Sequence, residues 1–264
     1  MVIEVMNRLE NKYVINEDIY LVLRRAIEKN VRLDMYNIDN EFYTISNIYY
    51  DTEDNHLIRK SLEKPKYKEK LRLRAYGIPG KNENVFFEIK KKYLGRVNKR
   101  RAVLPLSDAY NFLETGHSKA ESQIINELTY ALKLYNPKPK VYIAYDRRAY
   151  FQDGLRITFD KNIRTRRHDL RLESGDFGDL LLDKGMYVLE IKTIASLPLW
   201  LAELLSQHKV YSTSFSKYGT EYIKYVKYIK NGGMYKCLNQ FSKQQEKAVQ
   251  LLPSLGKMQL QQYV

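Results

Sequence analysis

The sequence predicts an α+β fold: an antiparallel β-barrel of about eight strands with helices packed outside. Three observations predict it. Five segments alternate charged and apolar residues with a period of two, so each sends its charges to one face of a strand. Those charged faces are built almost entirely from Arg, Lys, Glu and Asp, where an ordinary wet face carries more Thr, Ser and Gln. Several amphipathic helices are available to cover the apolar faces. A sheet curled around its charged face, with helices on its apolar face, satisfies all three, and closure removes exposed edges.

The elements follow in order. RLENKY at 8–13 opens a strand with Arg8, Glu10 and Lys12 on one face. Residues 16–30 predict a helix capped by Asn16, with Glu17 and Asp18 at its positive end and Ile19, Val22, Leu23, Ala26 and Ile27 at helical spacing. FYTISNIYYDT (42–52) reads as a strand, residues 53–63 as a short helix, and KYKEKLRLRAYG (66–77) as a strand with Lys70, Arg72 and Arg74 on one face. Residues 84–105 predict two strands around Gly95, the first with Glu88, Lys90 and Lys92 sharing a face. Ser107 caps a short helix ending near Gly116, and 119–135 forms an amphipathic helix stopped by Pro137 and Pro139. Strands resume at 140–151, at 154–167 with Arg156, Thr158 and Asp160 on one face, and at 186–193 with Glu190 and Lys192 on one face. Helices are expected at 198–208 and after SFSKYG (214–219). Residues 1–232 read as one domain. Beyond Gly232-Gly233, residues 233–264 read as a helical extension or tail.

Composition narrows the function. The 45 Lys plus Arg against 31 Asp plus Glu give a net charge of +14, which attracts polyanions: nucleic acid, acidic lipid or phosphorylated small molecules. The single cysteine, Cys237, excludes an internal disulfide framework and a cysteine-rich zinc site, and fits a cytoplasmic setting. The N-terminus shows no signal core, and no apolar run reaches the roughly 18 residues of a membrane span. His56, His117, His168 and His208 make no ligand spacing, and Trp200 is read as core.

A charged interior is costly unless its charges are paired or filled by a ligand. Surplus Lys and Arg facing inward repel one another, and a chain of phosphates relieves that repulsion. The interspersed Glu10, Glu88, Asp160 and Glu190 offer hard oxygens to Mg²⁺ or Mn²⁺. The recurring E-x-K therefore sets a metal ligand beside a phosphate ligand. Lys99 or Arg101 is placed at a mouth of the barrel.

R-x-E-x-K-Y at 8–13, I-Y-Y-D-T at 48–52, R-L-R at 72–74, F-E-I-K at 87–90, Y-D-R at 145–147, R-I-T-F-D at 156–160, L-E-I-K at 189–192 and S-F-S-K-Y at 214–218 resemble one family. In order and spacing they are similar to the catalytic domain of the vacuolar transporter chaperone (VTC) family, within the triphosphate tunnel metalloenzymes, or CYTH superfamily. The resemblance covers roughly residues 5–230. It implies a tunnel barrel and a polyphosphate polymerase that moves the γ-phosphate of ATP onto inorganic polyphosphate and releases ADP. It implies Arg72, Arg74, Arg147 and Lys217 as catalytic residues. It assigns Lys12, Lys90 and Arg156 to phosphate and Glu190 to Mn²⁺ or Mg²⁺; the alternation of the charged faces adds Lys70 and Lys192 as phosphate-binding residues, and the mouth of the barrel adds Arg101. Glu10 and Glu88 take a second place, as metal ligands or as partners of neighbouring bases. No stretch resembles the SPX domain or membrane helices of the eukaryotic complex, so coupling of synthesis to transport is not expected.

Two rivals stand beside this reading. One is a metal-dependent triphosphatase or polyphosphatase on the same fold. The other is a nucleic-acid-binding module using the 23 tyrosines for stacking. The inward pairing of acids with bases argues against the second, and nucleic acid is not expected as a partner. The sequence leaves oligomeric state, metal identity and reaction direction open.

Overall fold

The computed structural model describes residues 9–38, 41–94, 96–194 and 196–232. Arg8, Gly95 and the expected C-terminal segment 233–264, with Cys237, lie outside the described residues. The strands are β1 (Leu9–Asn16), β2 (Tyr43–Asp51), β3 (Tyr67–Tyr76), β4 (Asn84–Tyr93), β5 (Arg96–Pro105), β6 (Lys138–Gln152), β7 (Leu155–Arg166), β8 (Asp179–Leu180) and β9 (Met186–Thr193). The helices are α1 (Glu17–Asn30), α2 (His56–Leu62), α3 (Leu106–Thr115), α4 (Gln123–Tyr135), α5 (Leu199–Gln207) and α6 (Lys217–Lys230). All pairings are antiparallel, in the order β1-β9-β7-β6-β2-β3-β4-β5, with β8 on the side of β7. Within the described residues the expected strands and helices appear, within a few residues at their ends.

Local chemistry explains most boundaries. Asn16 caps α1 by accepting the amide of Ile19 at 3.0 Å. α3 starts at Leu106, one residue before the expected cap Ser107, because the chain leaves β5 directly through Pro105. It ends at Gly116, whose φ of +75° suits glycine. Ser122 caps α4, so that helix begins later than expected. Pro139 lies inside β6, at the register shift opposite Tyr49 and Tyr50, where a missing N–H is tolerated.

The sheet curls without closing through hydrogen bonds: among the described residues, β1 and β5 remain unpaired edges. Its ends nevertheless face one another, because Glu10 on β1 reaches Lys90 on β4 at 3.6 Å. The segment after α5 covers the outer edge of β1, Thr213 donating its amide to the Lys12 carbonyl at 2.7 Å.

Three apolar clusters hold the fold. On the outer face, α3 and α4 pack Phe112, Leu128 and Ala131 against Leu71, Leu73, Phe87 and Ile89. Farther round the same face, α1 and α5 pack Leu23, Ile27, Leu201 and Leu205 against Ile157, Phe159 and Leu189. The third cluster lies on the inner face. There Tyr218 and Tyr222 of α6, with Ile58 of α2, meet Ile45, Tyr49, Ile143, Tyr145 and Val188. Helix α6 thus departs from the expected outside packing and fills part of the concave side. A bulge in β7 adapts the wall to it. Asp146 faces Lys161 while Ala144 faces Arg164, and Asn162 takes up the slack at φ +47°. The bulge flips the parity, so Ile163 turns in to the third cluster and Arg166 turns out to stack on Tyr142 at 3.5 Å.

Candidate functional site

The inner face divides into two halves. In the first, arginines dominate and each is fixed. Glu88 faces Arg72 on one side and Arg101 on the other in strand register. It accepts from Arg72 Nε at 2.7 Å, Arg101 Nε at 2.7 Å and Lys99 Nζ at 3.1 Å. Arg74 is held by neutral partners, donating to Asn47 Oδ1 at 2.8 Å and to the Tyr145 hydroxyl at 2.9 Å. Arg147 forks onto Asp160 at 2.7 and 2.8 Å, and Lys217 at the start of α6 adds a third bond to that carboxylate at 2.5 Å. Burial pushes the Glu88 and Asp160 carboxyls up, but the surrounding guanidinium and ammonium groups outweigh it and hold both below the usual range.

In the second half lysines dominate, with Glu10 and Glu190 among them. Lys12 on β1 approaches Glu10 at 3.1 Å and Glu190 at 3.9 Å. Lys192 is ion-paired to Glu190. Among the described residues Lys70 has no carboxylate partner; it donates to Ser216 Oγ at 3.0 Å. A cavity of about 490 Å³ opens among Lys12, Lys68, Lys70, Lys90, Lys92 and Ser216. Burial pushes the Lys70 ammonium down to about 7, helped by the charges of Lys12, Lys90, Lys68 and Arg72. Burial also brings Lys90 down to about 8, against the pull of Glu10. Ser216 caps α6, so the positive end of that helix meets the same cavity.

The residues singled out in the sequence all lie on this inner face. Lys70, Arg72 and Arg74 rise along β3, opposite Lys90, Glu88 and Phe86 of β4. Lys12 faces Glu190, and Glu10 faces Lys192. Arg156 faces Lys192 but sits at the rim, where it pairs with Asp34 at 3.1 Å.

Each of the four carboxylates is paired with cations: Glu88 and Asp160 mainly with guanidinium groups, Glu10 with Lys12 and Lys90, and Glu190 with Lys192 and Lys12. Glu10 and Glu190 are close enough that each feels the other's charge, and the nearby lysines hold both low against burial. Among the described residues no three His, Cys, Asp or Glu side chains form a metal cluster. Glu10 and Glu190 are two hard-oxygen donors that a divalent cation could use only in place of the lysines now paired with them, with phosphate oxygens completing its shell.

Sequence reasoning passed over Asn47, Tyr145 and Ser216. Tyr145 was within reach: in Y-D-R, period two puts it on the face of Arg147. Its buried hydroxyl is drawn down by Arg74, Arg147 and Lys217, which outweigh burial. Asn47 and Ser216 carry no charge; Ser216 lies within the S-F-S-K-Y motif without a role assigned to it there, and nothing in its spacing marks Asn47.

The model of the VTC domain family matches residues 7–226. The chain belongs to the VTC domain family. The resemblance read from the sequence motifs is thereby shown at the level of the family. Subunit 4 of the vacuolar transporter chaperone complex from Schizosaccharomyces pombe is 26% identical over 262 aligned residues, covering 80% of this chain and 36% of that protein. The VTC domain described here thus spans little more than a third of that curated relative. Among solved structures, a Bacillus halodurans protein provisionally described as an adenylate cyclase aligns with a TM-score of 0.50 at 14% identity, over 80% of this chain and 96% of its own. That likeness concerns the fold alone. No helix among the described residues is long and apolar enough to cross a membrane.

Proposed function

We propose that this VTC domain is a polyphosphate polymerase. It moves the γ-phosphoryl group of ATP onto the end of an inorganic polyphosphate chain, and ADP leaves. An oxygen of the acceptor's terminal phosphate forms the new P–O bond as the bond to the ADP oxygen breaks. The carrying observation is the convergence of Lys12, Lys70, Arg72, Arg74, Lys90, Arg147, Lys192 and Lys217 on the concave face of one sheet. Family membership supports an enzyme acting on phosphates, and the named relative supports the polyphosphate reading.

Phosphoryl transfer needs alignment and charge neutralisation more than covalent help. Arg72, Arg74, Arg147 and Lys217 would spread the charge on the transferred group, and their fixed partners leave little reorganisation for the reaction. Lys12, Lys70, Lys90 and Lys192, with the N-terminus of α6, would carry the chain. Arg101 and Arg156 would receive phosphates at the rim. Glu190 and Glu10 would hold Mn²⁺ or Mg²⁺, which would supply neutralisation of phosphate charge. Glu88 serves as counter-ion to Arg72, Lys99 and Arg101 in this reading. A cytoplasmic setting belongs to the same proposal.

The acceptor is already anionic and needs no general base. Hydrolysis requires an oriented, partly deprotonated water, usually beside a carboxylate. Asp160 and Glu88 are engaged by cations that hold both below the usual carboxylate range, which supports the polymerase over the triphosphatase. Incubation with ATP and Mn²⁺ or Mg²⁺ tests the choice. Long polyphosphate with ADP is the expected product. Orthophosphate alone rejects the polymerase in favour of a hydrolase.

A further inference from the structure

The arginine half ends in a feature that the phosphate chemistry does not use. Along β3, Tyr76 follows Arg74 by two residues. On β4, Phe86 precedes Glu88 by two. On β2, Tyr43 precedes Ile45 and Asn47 in the same alternation. Period two therefore sets Tyr43, Tyr76 and Phe86 on the inner face, one step beyond the arginines. The 3₁₀ turn Met35–Asn37 brings Tyr36 to the same place. Tyr76 meets Phe86 edge-on with centroids 5.5 Å apart, and Tyr36 lies parallel to Tyr76 within 8° at 6.1 Å. These rings are not core: Tyr36 is 65% and Tyr76 46% exposed.

The rim adjoins positive charge. Arg101 lies over Phe86 at 4.3 Å. Burial pushes the Tyr43 hydroxyl up to about 12, and Arg147 and Arg156 pull against it. Arg156 is tied to the Tyr36 turn through Asp34 at 3.1 Å. The other end offers no such surface: among the described residues lining the lysine cavity, Phe215 is the only ring.

We propose that Tyr36 and Tyr76, backed by Phe86, form the platform on which the base of the nucleoside triphosphate stacks. This rests on the polymerase reading and adds a direction to it. The nucleotide enters at the arginine end with its phosphates pointing inward, and the polyphosphate lies toward the lysine cavity. Stacking on rings reads no base edge, so ATP and GTP bind alike.

Calorimetry on the full chain, in chelator to hold turnover off, compares ATP with inorganic tripolyphosphate. The Tyr36→Ala, Tyr76→Ala double variant loses roughly 5- to 150-fold in ATP affinity and holds tripolyphosphate within about twofold of wild type. The corresponding double Phe variant retains ATP binding. The melting temperature checks that the exposed substitutions leave the fold intact. Unchanged ATP affinity in the Ala variant, or an equal loss for both ligands, overturns the platform while the phosphate site stands. If wild type binds neither ligand, or if Arg74→Ala changes neither affinity, the phosphate site and the platform fall together.

Discussion

The arginine half and the lysine half of the concave face carry charge of the same sign in opposite ways. In the first, Asp160 locks Arg147 and Lys217, Glu88 locks Arg72, Arg101 and Lys99, and Asn47 with Tyr145 locks Arg74. In the second, Glu10 is shared between Lys12 and Lys90, and among the described residues Lys70 is met by a serine hydroxyl and no carboxylate. Guanidinium groups keep their charge under burial, whereas an ammonium yields its proton when crowded. The guanidinium groups of the first half are therefore rigid and permanently positive, suited to a transferring phosphoryl group, although Lys99 beside them is brought down to about 8 by burial. The second half stays adjustable, suited to a chain that slides.

Removing one carboxylate from each half breaks or sharpens this contrast most strongly. Asp160→Ala leaves a buried Arg147 without its fork, and breaking such a pair costs about 3–5 kcal/mol. Glu10→Ala touches a partly exposed carboxylate and is expected to cost about 1 kcal/mol or less. Urea denaturation of the two variants measures the difference. Equal losses would show that the halves do not differ in how tightly their charges are built in.

Activity comes next in size. Arg74→Ala removes a preorganised donor while leaving no carboxylate stranded, because its partners are neutral. Turnover is expected to fall about 10²- to 10³-fold with a near-native melting temperature. Glu190→Gln keeps shape and removes the charge proposed to hold the metal, so turnover should fall while the far-ultraviolet circular dichroism spectrum stays the same. Turnover at the wild-type rate in either variant would take these groups out of the reaction.

How much of this was legible in the sequence depends on what each feature rests on. Strands with Arg or Lys every second residue declared both their state and their face, so Lys12, Arg72, Glu88, Arg156 and Glu190 were placed from parity alone. The curl followed from the cost of exposing apolar faces that helices were available to cover. Three things escaped. The parity flip at Asn162 depends on one residue adopting positive φ, and Asn accepts that conformation without demanding it. Helix α6 reads as an ordinary amphipathic helix, and periodicity does not say which side of a curled sheet its tyrosines will find. The division of the face into two halves comes from register: Arg72 beside Glu88, but Lys70 beside Lys90. A single chain read strand by strand does not contain that juxtaposition.

The smallest effect is also the sharpest test of the lysine half, and it concerns pH. Lys70 faces Lys12, Lys68, Lys90, Arg72 and the Ser216 hydroxyl, and its ammonium is pushed from about 10.5 down to about 7. Below pH 7 it is charged in both the folded and unfolded chain, and the folded state bears the whole repulsion. Between pH 7 and 10.5 the folded chain has released the proton and the unfolded chain still holds it, so the penalty fades as pH rises. Lys70→Met should therefore stabilise the protein by about 2 kcal/mol below pH 7, after allowance for solvent screening. The gain should shrink to nothing near pH 10.5. Denaturation midpoints at pH 6, 8 and 10 follow that slope. The same substitution should weaken tripolyphosphate binding, because the charge that strains the empty face is the charge the chain neutralises. A variant that is less stable at pH 6, or equally stabilised at pH 6 and 10, would mean that Lys70 carries no unrelieved charge, and the contrast between the halves would lose its physical basis.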